Sequence, residues 1–319
     1  MNKQIKEWIN RLMPLGALVL VYGIFAIIAP ASFVSLKNLE LIVRQTTIVG
    51  IASLGMTLVI IGGGIDLSVG SIVALVTVVI AWLLMAGLPP FSAAFGGVLA
   101  GLICGFINGA LITRLKLVPF IITLGTLLVY RGCAKGLAHE QKIDAPLSWI
   151  NELLAALKPE QNWMIVPGGV WLLILLAVIV ALLLKYTRFG LYTFSIGSNE
   201  QASRLCGVPI EKVKLLIYGI SGLFAGFAGL MQFSRLTVGD PTVAQGLELD
   251  VIAAVVIGGG SLAGGEGSVL GTLLGALIMT VIRSGCTQMG LSNWVQEIVT
   301  GIIIVVAVVL DRMRHKQQN

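Results

Sequence analysis

Ile60-Ile61-Gly62-Gly63-Gly64-Ile65-Asp66-Leu67-Ser68-Val69-Gly70-Ser71 puts a glycine break and one carboxylate between two apolar runs, residues 41–62 and 68–87, each long enough to cross a bilayer. Backbone that leaves the helix at membrane depth loses its internal hydrogen bonds. It persists only where protein or a water-filled path satisfies those groups, and an ionisable side chain there marks a functional position by default. A second break, Gly258-Gly259-Gly260-Ser261-Leu262-Ala263-Gly264-Gly265-Glu266-Gly267-Ser268, again separates two apolar runs and again carries one carboxylate. Paired interruptions of this kind are a pattern of transport proteins.

Working outward, the whole chain reads as a polytopic membrane protein. Hydrophobic residues make up 57% and charged residues 11% of the 319, with a mean hydropathy of +0.97. Soluble domains carry roughly a quarter charged residues. Runs of the length a spanning helix needs lie at 12–30, 41–62, 68–87, 92–113, 118–137, 165–184, 213–233 and 294–310. Residues 246–260 and 268–285 flank the second break and are short or rich in small residues, so the pattern predicts about ten crossings, or eight if these two do not cross. The polar intervals 138–164 and 185–212 are too short for an independent core. Residues 1–319 therefore form one all-α transmembrane domain with broken and short segments.

The net charge of +6 is a topology signal. With the N-terminus inside and ten crossings, thirteen basic residues fall on the cytoplasmic side: Lys3, Lys6, Arg11, Arg114, Lys116, Lys185, Arg188, Arg204, Lys212, Lys214, Arg312, Arg314 and Lys316. Eight remain outside, Lys37, Arg44, Arg131, Lys135, Lys142, Lys158, Arg235 and Arg283, which is the positive-inside bias with both termini cytoplasmic. No basic stripe with interleaved aromatics exists, so nucleic acid is not an expected partner. The basic start and the apolar run to Ala31 resemble a signal peptide, but the run is longer than a usual h-region and reads as an uncleaved first helix.

Catalytic chemistry is missing from the sequence. No G-x-x-x-x-G-K-[ST] run occurs, so the chain is not expected to bind and hydrolyse ATP itself. A glycine-rich helix start can cradle phosphate, yet the Gly258–Gly267 run has no following lysine, and glycine in membrane helices also serves close packing. His139 and His315 lie in polar flanks without metal-ligand neighbours, so no metal, catalytic residue or cofactor is expected. Cys104, Cys133, Cys206 and Cys286 have no C-x-x-C spacing and read as packing residues. Asp66 has no paired aspartate of the kind an intramembrane protease uses; Asp250 begins a different segment.

Two loops carry signals. Ser195 to Pro209 reads as a short helix, with Ser198 or Asn199 as N-cap, Glu200 in the first turn, Gly207 and Pro209 as the stop, and Ala202, Leu205 and Cys206 on one side. It is either a connector or a knob that docks a cytoplasmic partner. Residues 144–159 show an amphipathic pattern through Leu147, Trp149, Ile150, Leu153, Leu154 and Leu157, which with Trp163 suits interfacial anchoring as well as an outer partner.

Three ordered motifs resemble the ribose-type sugar permeases of ABC importers, within the branched-chain amino acid/ribose permease superfamily, over nearly the whole chain. They are Gly63-Gly64-Ile65-Asp66-Leu67-Ser68-Val69-Gly70-Ser71, then Gly197-x-Asn199-Glu200-x-Ala202-x-Arg204-Leu205-x-Gly207, then Glu248-Leu249-Asp250-x-Ile252-Ala253-Ala254-Val255-Val256-x-Gly258-Gly259 with Ser261-Leu262-x-Gly264-Gly265-x-Gly267. The resemblance implies a type II importer-like permease of about ten helices in the bacterial inner membrane, importing a monosaccharide. Two copies, or one with a sister permease, form a central path in the lipid; ATPase subunits dock from the cytoplasm and a periplasmic sugar-binding protein delivers substrate. Asn199, Glu200, Ala202, Arg204 and Gly207, within the loop at about 186–212, fall on what looks like the ATPase-coupling helix. The loop at about 138–164 is then periplasmic. Gly62, Gly63, Gly64, Asp66, Ser68 and Gly70 look like a structural or gating break near the path, and Gly258, Gly259, Gly260, Gly264, Gly265 and Gly267 form the second break.

The residues themselves leave Asp66 open between an N-cap of a helix starting near Leu67 or Ser68 and a hinge or gate. Asn108 and Gln232, lone amides in apolar segments, read as interhelical hydrogen-bonding groups. The rival reading from another class is an ion-driven secondary transporter of a small polar solute, built on Asp66 and the paired breaks.

Overall fold

A segment in lipid must satisfy its own backbone polar groups, and this chain does so almost wholly with helices. The computed structural model describes residues 3–157 and 164–316. In order these form α1 (Lys3–Ile28), a 3-10 turn (Ala31–Val34), α2 (Leu36–Ile61), α3 (Val69–Met85), α4 (Pro90–Leu115), α5 (Pro119–Leu137), β1 (Ile143–Asp144), α6 (Trp149–Glu152), α7 (Gly168–Tyr186), α8 (Arg188–Ser198), α9 (Glu200–Leu205), α10 (Ile210–Leu236), β2 (Val238–Gly239), α11 (Leu247–Ile257), α12 (Val269–Gln288) and α13 (Asn293–Lys316). Six of these helices, α2, α4, α5, α7, α10 and α12, are long and apolar enough to cross a membrane, and shorter apolar stretches lie at Pro14–Ile28, Val69–Met85 and Asn293–Val306.

Local chemistry sets the helix ends. Ser35 caps α2 by accepting the Asn38 N–H, and Ser268 caps α12 by accepting that of Gly271. Proline stands in the first turn of α4 and α5, where its missing N–H costs nothing. α2 stops because Gly63 turns to a φ of +76°, a conformation that is cheap only for glycine.

α2 lies at the centre and is buried from Thr46 along nearly its whole length, packed by α10, α12, α11 and α7. The tightest pair is α4 on α10. A Cβ on Gly101 would stand 2.6 Å from the Gly222 carbonyl oxygen and 2.7 Å from the Gly226 Cα, so the two backbones touch through their glycines. α4 and α7 turn Phe91, Phe95, Ile174 and Leu175 outward, the apolar exterior that lipid requires.

Two loops carry more structure than their sequences show. In the amphipathic stretch that begins at Asp144, α6 is a single turn, and Ile150 and Leu154 are fully buried in the main core while Leu147 and Trp149 stay exposed. The Leu154 N–H bonds to Ser234 Oγ at 3.0 Å and its carbonyl accepts from Arg44 Nε, so backbone bonding pins the loop to the bundle. Trp163 lies outside the described residues. The interval 186–212 holds two helices, because α8 packs against α7 and α2 before α9 begins.

Candidate functional site

The three motifs meet. The Gly265 N–H donates to the Ile61 carbonyl at 2.9 Å, joining the second break to the end of α2, and Gly197 at the end of α8 lies against both. A Cβ on Gly197 would overlap the Ile61 carbonyl oxygen and stand 2.5 Å from the Gly265 nitrogen. One on Gly264 would stand 2.6 Å from the Gly197 carbonyl oxygen and 2.9 Å from the Gly63 Cα. Three backbones therefore touch with no side chain between them. Gly264 and Gly265 have φ of +89° and +76°, so their shape as well as their size demands glycine.

The remaining glycines of the breaks serve the same close packing. Gly62 has room only for a hydrogen beside Ile217 Cδ1, Gly64 faces the Tyr218 hydroxyl, Gly258 lies on the Gly271 carbonyl, Gly260 on Val255 and Gly267 on Ile61. Gly259 is different: its space is open and its φ of +91° alone calls for glycine. Apart from Gly259, this is the packing role, with protein side chains and backbone against the glycines. Among the described residues no group of three His, Cys, Asp or Glu could hold a metal.

Above that junction the first break rises into the bundle. Asp66 is fully buried; its Oδ1 accepts the Ser68 N–H at 2.9 Å and the Ser68 hydroxyl at 2.6 Å, and Ser221 Oγ of α10 lies 3.5 Å from Oδ2. Asp66 does not cap α3. Ser68 is the N-cap position, and the carboxylate sits too early in the chain, so it closes a two-residue turn instead. The network continues sideways: Asn108 Nδ2 of α4 donates to Ser68 Oγ at 2.8 Å, the Tyr130 hydroxyl of α5 donates to Asn108 Oδ1 at 3.0 Å, and Thr123 Oγ1 of α5 donates to the Ile65 carbonyl at 3.2 Å. Asn108 is thus an interhelical hydrogen-bonding residue, and the break is tied to α4, α5 and α10 at once.

α3 and α11 both start inside the bundle. A Cβ on Gly70, in the first turn of α3, would overlap the Glu248 carboxylate in the first turn of α11 and the Ala244 carbonyl before it, so glycine at 70 makes room for the third motif. Arg131 Nη1 donates to the carbonyls of Pro241 at 3.0 Å and Val243 at 2.6 Å, and Arg283 pairs with the buried Asp250 at 2.6 Å. The sequence places Arg131 and Arg283 among flanking charges. Their long side chains instead reach inward to irregular backbone and to a buried carboxylate. Asp240 Oδ1 accepts the Thr242 hydroxyl at 2.7 Å and N–H at 2.9 Å, and Oδ2 pairs with Lys142 at 3.3 Å.

α9 stands away from these contacts as a small knob. Asn199 caps it by accepting the Ala202 N–H at 2.9 Å, Glu200 pairs with Lys214 at 2.7 Å and with Arg204 at 3.7 Å, and Arg204 reaches Glu211 at 2.9 Å. Ser203 is its buried anchor, while Ala202, Leu205 and Cys206 are exposed, Leu205 at 90%. Gly207, at a φ of +79°, ends the knob. Gly197, Glu248, Arg131 and Tyr218 complete the arrangement. Only Gly197 and Glu248 stood inside a quoted motif, and spacing alone carries no sign that Arg131 points inward.

Residues 38–308 match the family model described as branched-chain amino acid transport system / permease component. The chain is 38% identical over 306 residues to a ribose import permease protein of Bacillus subtilis, covering 96% of this chain and 94% of that protein. It is 34% identical over 310 residues to that of Escherichia coli K12, at 97% and 96% coverage, and 35% identical over 314 residues to a fructose import permease protein of Rhizobium meliloti, at 95% and 86%. No solved structure matches. With a bundle of apolar helices, two glycine breaks locked together and a family match over most of its length, the chain belongs to the branched-chain amino acid transport system / permease component family of membrane permeases.

Proposed function

We propose that this chain is the membrane subunit of a binding-protein-dependent ABC importer for a monosaccharide such as ribose or fructose. Its relatives supply the substrate class. The observation that carries the coupling role is α9, a capped knob with an exposed apolar face, rooted through Gly197 in the contact that joins both breaks. Motion imposed on α9 by a docked ATPase is delivered as a rigid-body push to α2 and to the second break. Asn199, Glu200, Ala202, Arg204 and Gly207 form the docking element.

In this reading α11, 11 residues long, and the polar chain before it make the eighth of ten crossings, both termini are cytoplasmic, and the protein lies in the inner membrane. Two copies, or one with a sister permease, enclose the path. ATP is hydrolysed by a separate subunit, and an external binding protein supplies specificity. Asp66 acts as the lock of the first break rather than as a solute ligand, since both its oxygens face protein groups. That burial also counts against an ion-driven transporter, which needs a carboxylate that an ion can reach.

The test is purification of the tagged chain from its native membrane in mild detergent with mass spectrometry of what accompanies it. An ABC-type nucleotide-binding subunit is expected, and the permease alone should hydrolyse no ATP. Robust solute uptake by the permease alone in vesicles, abolished by an uncoupler, would overturn the proposal in favour of ion coupling.

A further inference from the structure

The segment between α10 and α11 enters the bundle as irregular chain. β2 pairs antiparallel with β1, Ile143 opposite Gly239, and Gly239 lies against Ala81 and Thr77 of α3. The Asp240 N–H and carbonyl both bond to Thr77 Oγ1, at 3.3 and 3.4 Å, and by Ala244 the chain has reached Gly70. Ala81 and Gly70 are eleven residues apart on α3, so the segment descends about 16 Å at the helical rise, half the ~30 Å of a hydrocarbon core.

Residues 241–246 make that descent without helix or strand, turning at Ala244 and Gly246 with φ of +59° and +78°. Arg131 satisfies two of the carbonyls, and Asp240 accepts from Thr242. Yet Thr242, Gln245 and Leu249 are exposed, and the neighbouring face of α5 is open as well: Gly125, Gly132 and Gly136 have nothing in front of them. Lipid cannot face an irregular backbone and a primary amide at mid-depth, because it offers them no hydrogen bonds. Water can.

We propose that Thr242, Gln245 and Leu249, with the glycine face of α5, line the aqueous solute path, and that the Gln245 amide is the polar group a sugar passes at mid-depth. This rests on the two-copy importer reading, in which a second permease closes the path from the other side. An amide suits the task, since it both donates to and accepts from hydroxyls without holding them by charge. Glu248, three residues further along the chain, turns one oxygen inward against Gly70, and that oxygen is buried.

The test uses the complex purified with its ATPase subunit and returned to proteoliposomes. In a Cys133→Ser, Cys206→Ser background, Gln245→Cys is exposed to a membrane-impermeant maleimide, with Leu175→Cys on the apolar face of α7 as the comparison. Cys104 and Cys286 are buried and stay in place. Labelling at position 245 at least tenfold faster than at 175 is expected. Equal or slower labelling at 245, in a complex that retains its ATPase, overturns the path assignment and leaves the importer reading standing. Failure of any ATPase to co-purify removes the importer reading, and fast labelling would then still mark an aqueous lining.

Discussion

Replacing Gly197 with alanine tests whether the junction of the three motifs transmits force. The added Cβ would overlap the Ile61 carbonyl oxygen and stand 2.5 Å from the Gly265 nitrogen, where ordinary contact begins at 3.4 Å. The backbones must part by about 1 Å or more, a separation that removes the 2.9 Å bond from the Gly265 N–H to the Ile61 carbonyl. Leaving such a buried pair unmade costs about 1–3 kcal/mol, and overpacking adds about 1–3 kcal/mol. The strain falls on one junction, so the bundle should still insert while α8 and α9 lose their fixed seat. Because about 1.4 kcal/mol of coupling is already a factor of ten, ATP-driven sugar uptake by the reconstituted complex should fall at least ~10-fold with ATPase activity within ~2-fold of wild type. Gly207→Ala is the control: its φ of +79° makes alanine strained, but nothing lies within 4 Å, so the cost stays local at about 1–2 kcal/mol. Wild-type uptake by the Gly197→Ala complex, or parallel loss of uptake in both variants, would refute the transmission argument.

Asp66→Asn keeps an Oδ1 acceptor for the Ser68 N–H and hydroxyl, so membrane expression and uptake should drop modestly; Asp66→Leu strands both donors in a dry site at about 1–3 kcal/mol each and should cut the folded fraction in a detergent stability assay. Equal loss in both variants would mean that the charge itself matters. Glu200→Lys removes exposed pairs with Lys214 and Arg204, worth no more than about 1 kcal/mol, so thermal stability should hold while ATPase co-purification weakens; unchanged capture of the ATPase would make α9 a mere connector. Gly105→Val, on the α4 face that touches the Tyr218 carbonyl and Gly222, should prevent accumulation of folded protein, whereas Gly125→Val, with open space before it, should leave folding intact. Comparable levels of the two valine variants on a fluorescence size-exclusion profile would contradict the glycine packing.

Hydropathy made most spans legible because a bilayer permits few alternatives. The apolar runs at 68–87, 118–137 and 213–233 correspond to α3 at Val69–Met85, α5 at Pro119–Leu137 and α10 at Ile210–Leu236. α2 departs from this match: it begins at Leu36 although its apolar run starts at 41. Its first turns carry Lys37, Asn38, Glu40 and Arg44, and tertiary bonds make them helical: Asn38 Nδ2 donates to the Phe33 carbonyl at 2.8 Å, its Oδ1 accepts from Ser284 and Gln288, and Arg44 holds Leu154. A hydropathy window has no access to partners some 250 residues away. The α9 cap was legible as Ser198 or Asn199, since Asn199 acts through a residue three positions on, whereas the residues leave Asp66 open between a cap and a hinge, because its role turns on α3 starting at Val69 rather than at Leu67 or Ser68.

The meeting of the breaks was the least legible feature, and the reason is physical. A glycine required by its own φ leaves a local trace, because a turn or helix end usually lies beside it. A glycine required by another backbone leaves none: Gly197 sits inside the last turn of α8, where its own conformation would accept alanine, and the Ile61 carbonyl and the Gly265 nitrogen forbid it. Sequence reading can therefore find the breaks at Gly62–Gly64 and Gly258–Gly267 as interruptions, yet it cannot say that they interrupt the chain at the same place. That coincidence is what a coupling device needs. In the proposed coupling, separate breaks would let α2 and α11 flex independently, whereas breaks fastened by the bond from Gly265 to Ile61 and wedged by Gly197 move together with α9. The arrangement makes a distinct demand: Gly264→Ala, at a φ of +89° and 2.6 Å from the Gly197 carbonyl, should reproduce the uptake defect of Gly197→Ala from the opposite side of the junction. The double variant should add little to either alone, since a junction already parted cannot be parted again. Fully additive losses in uptake would show two independent lesions and would dissolve the junction as a mechanical unit.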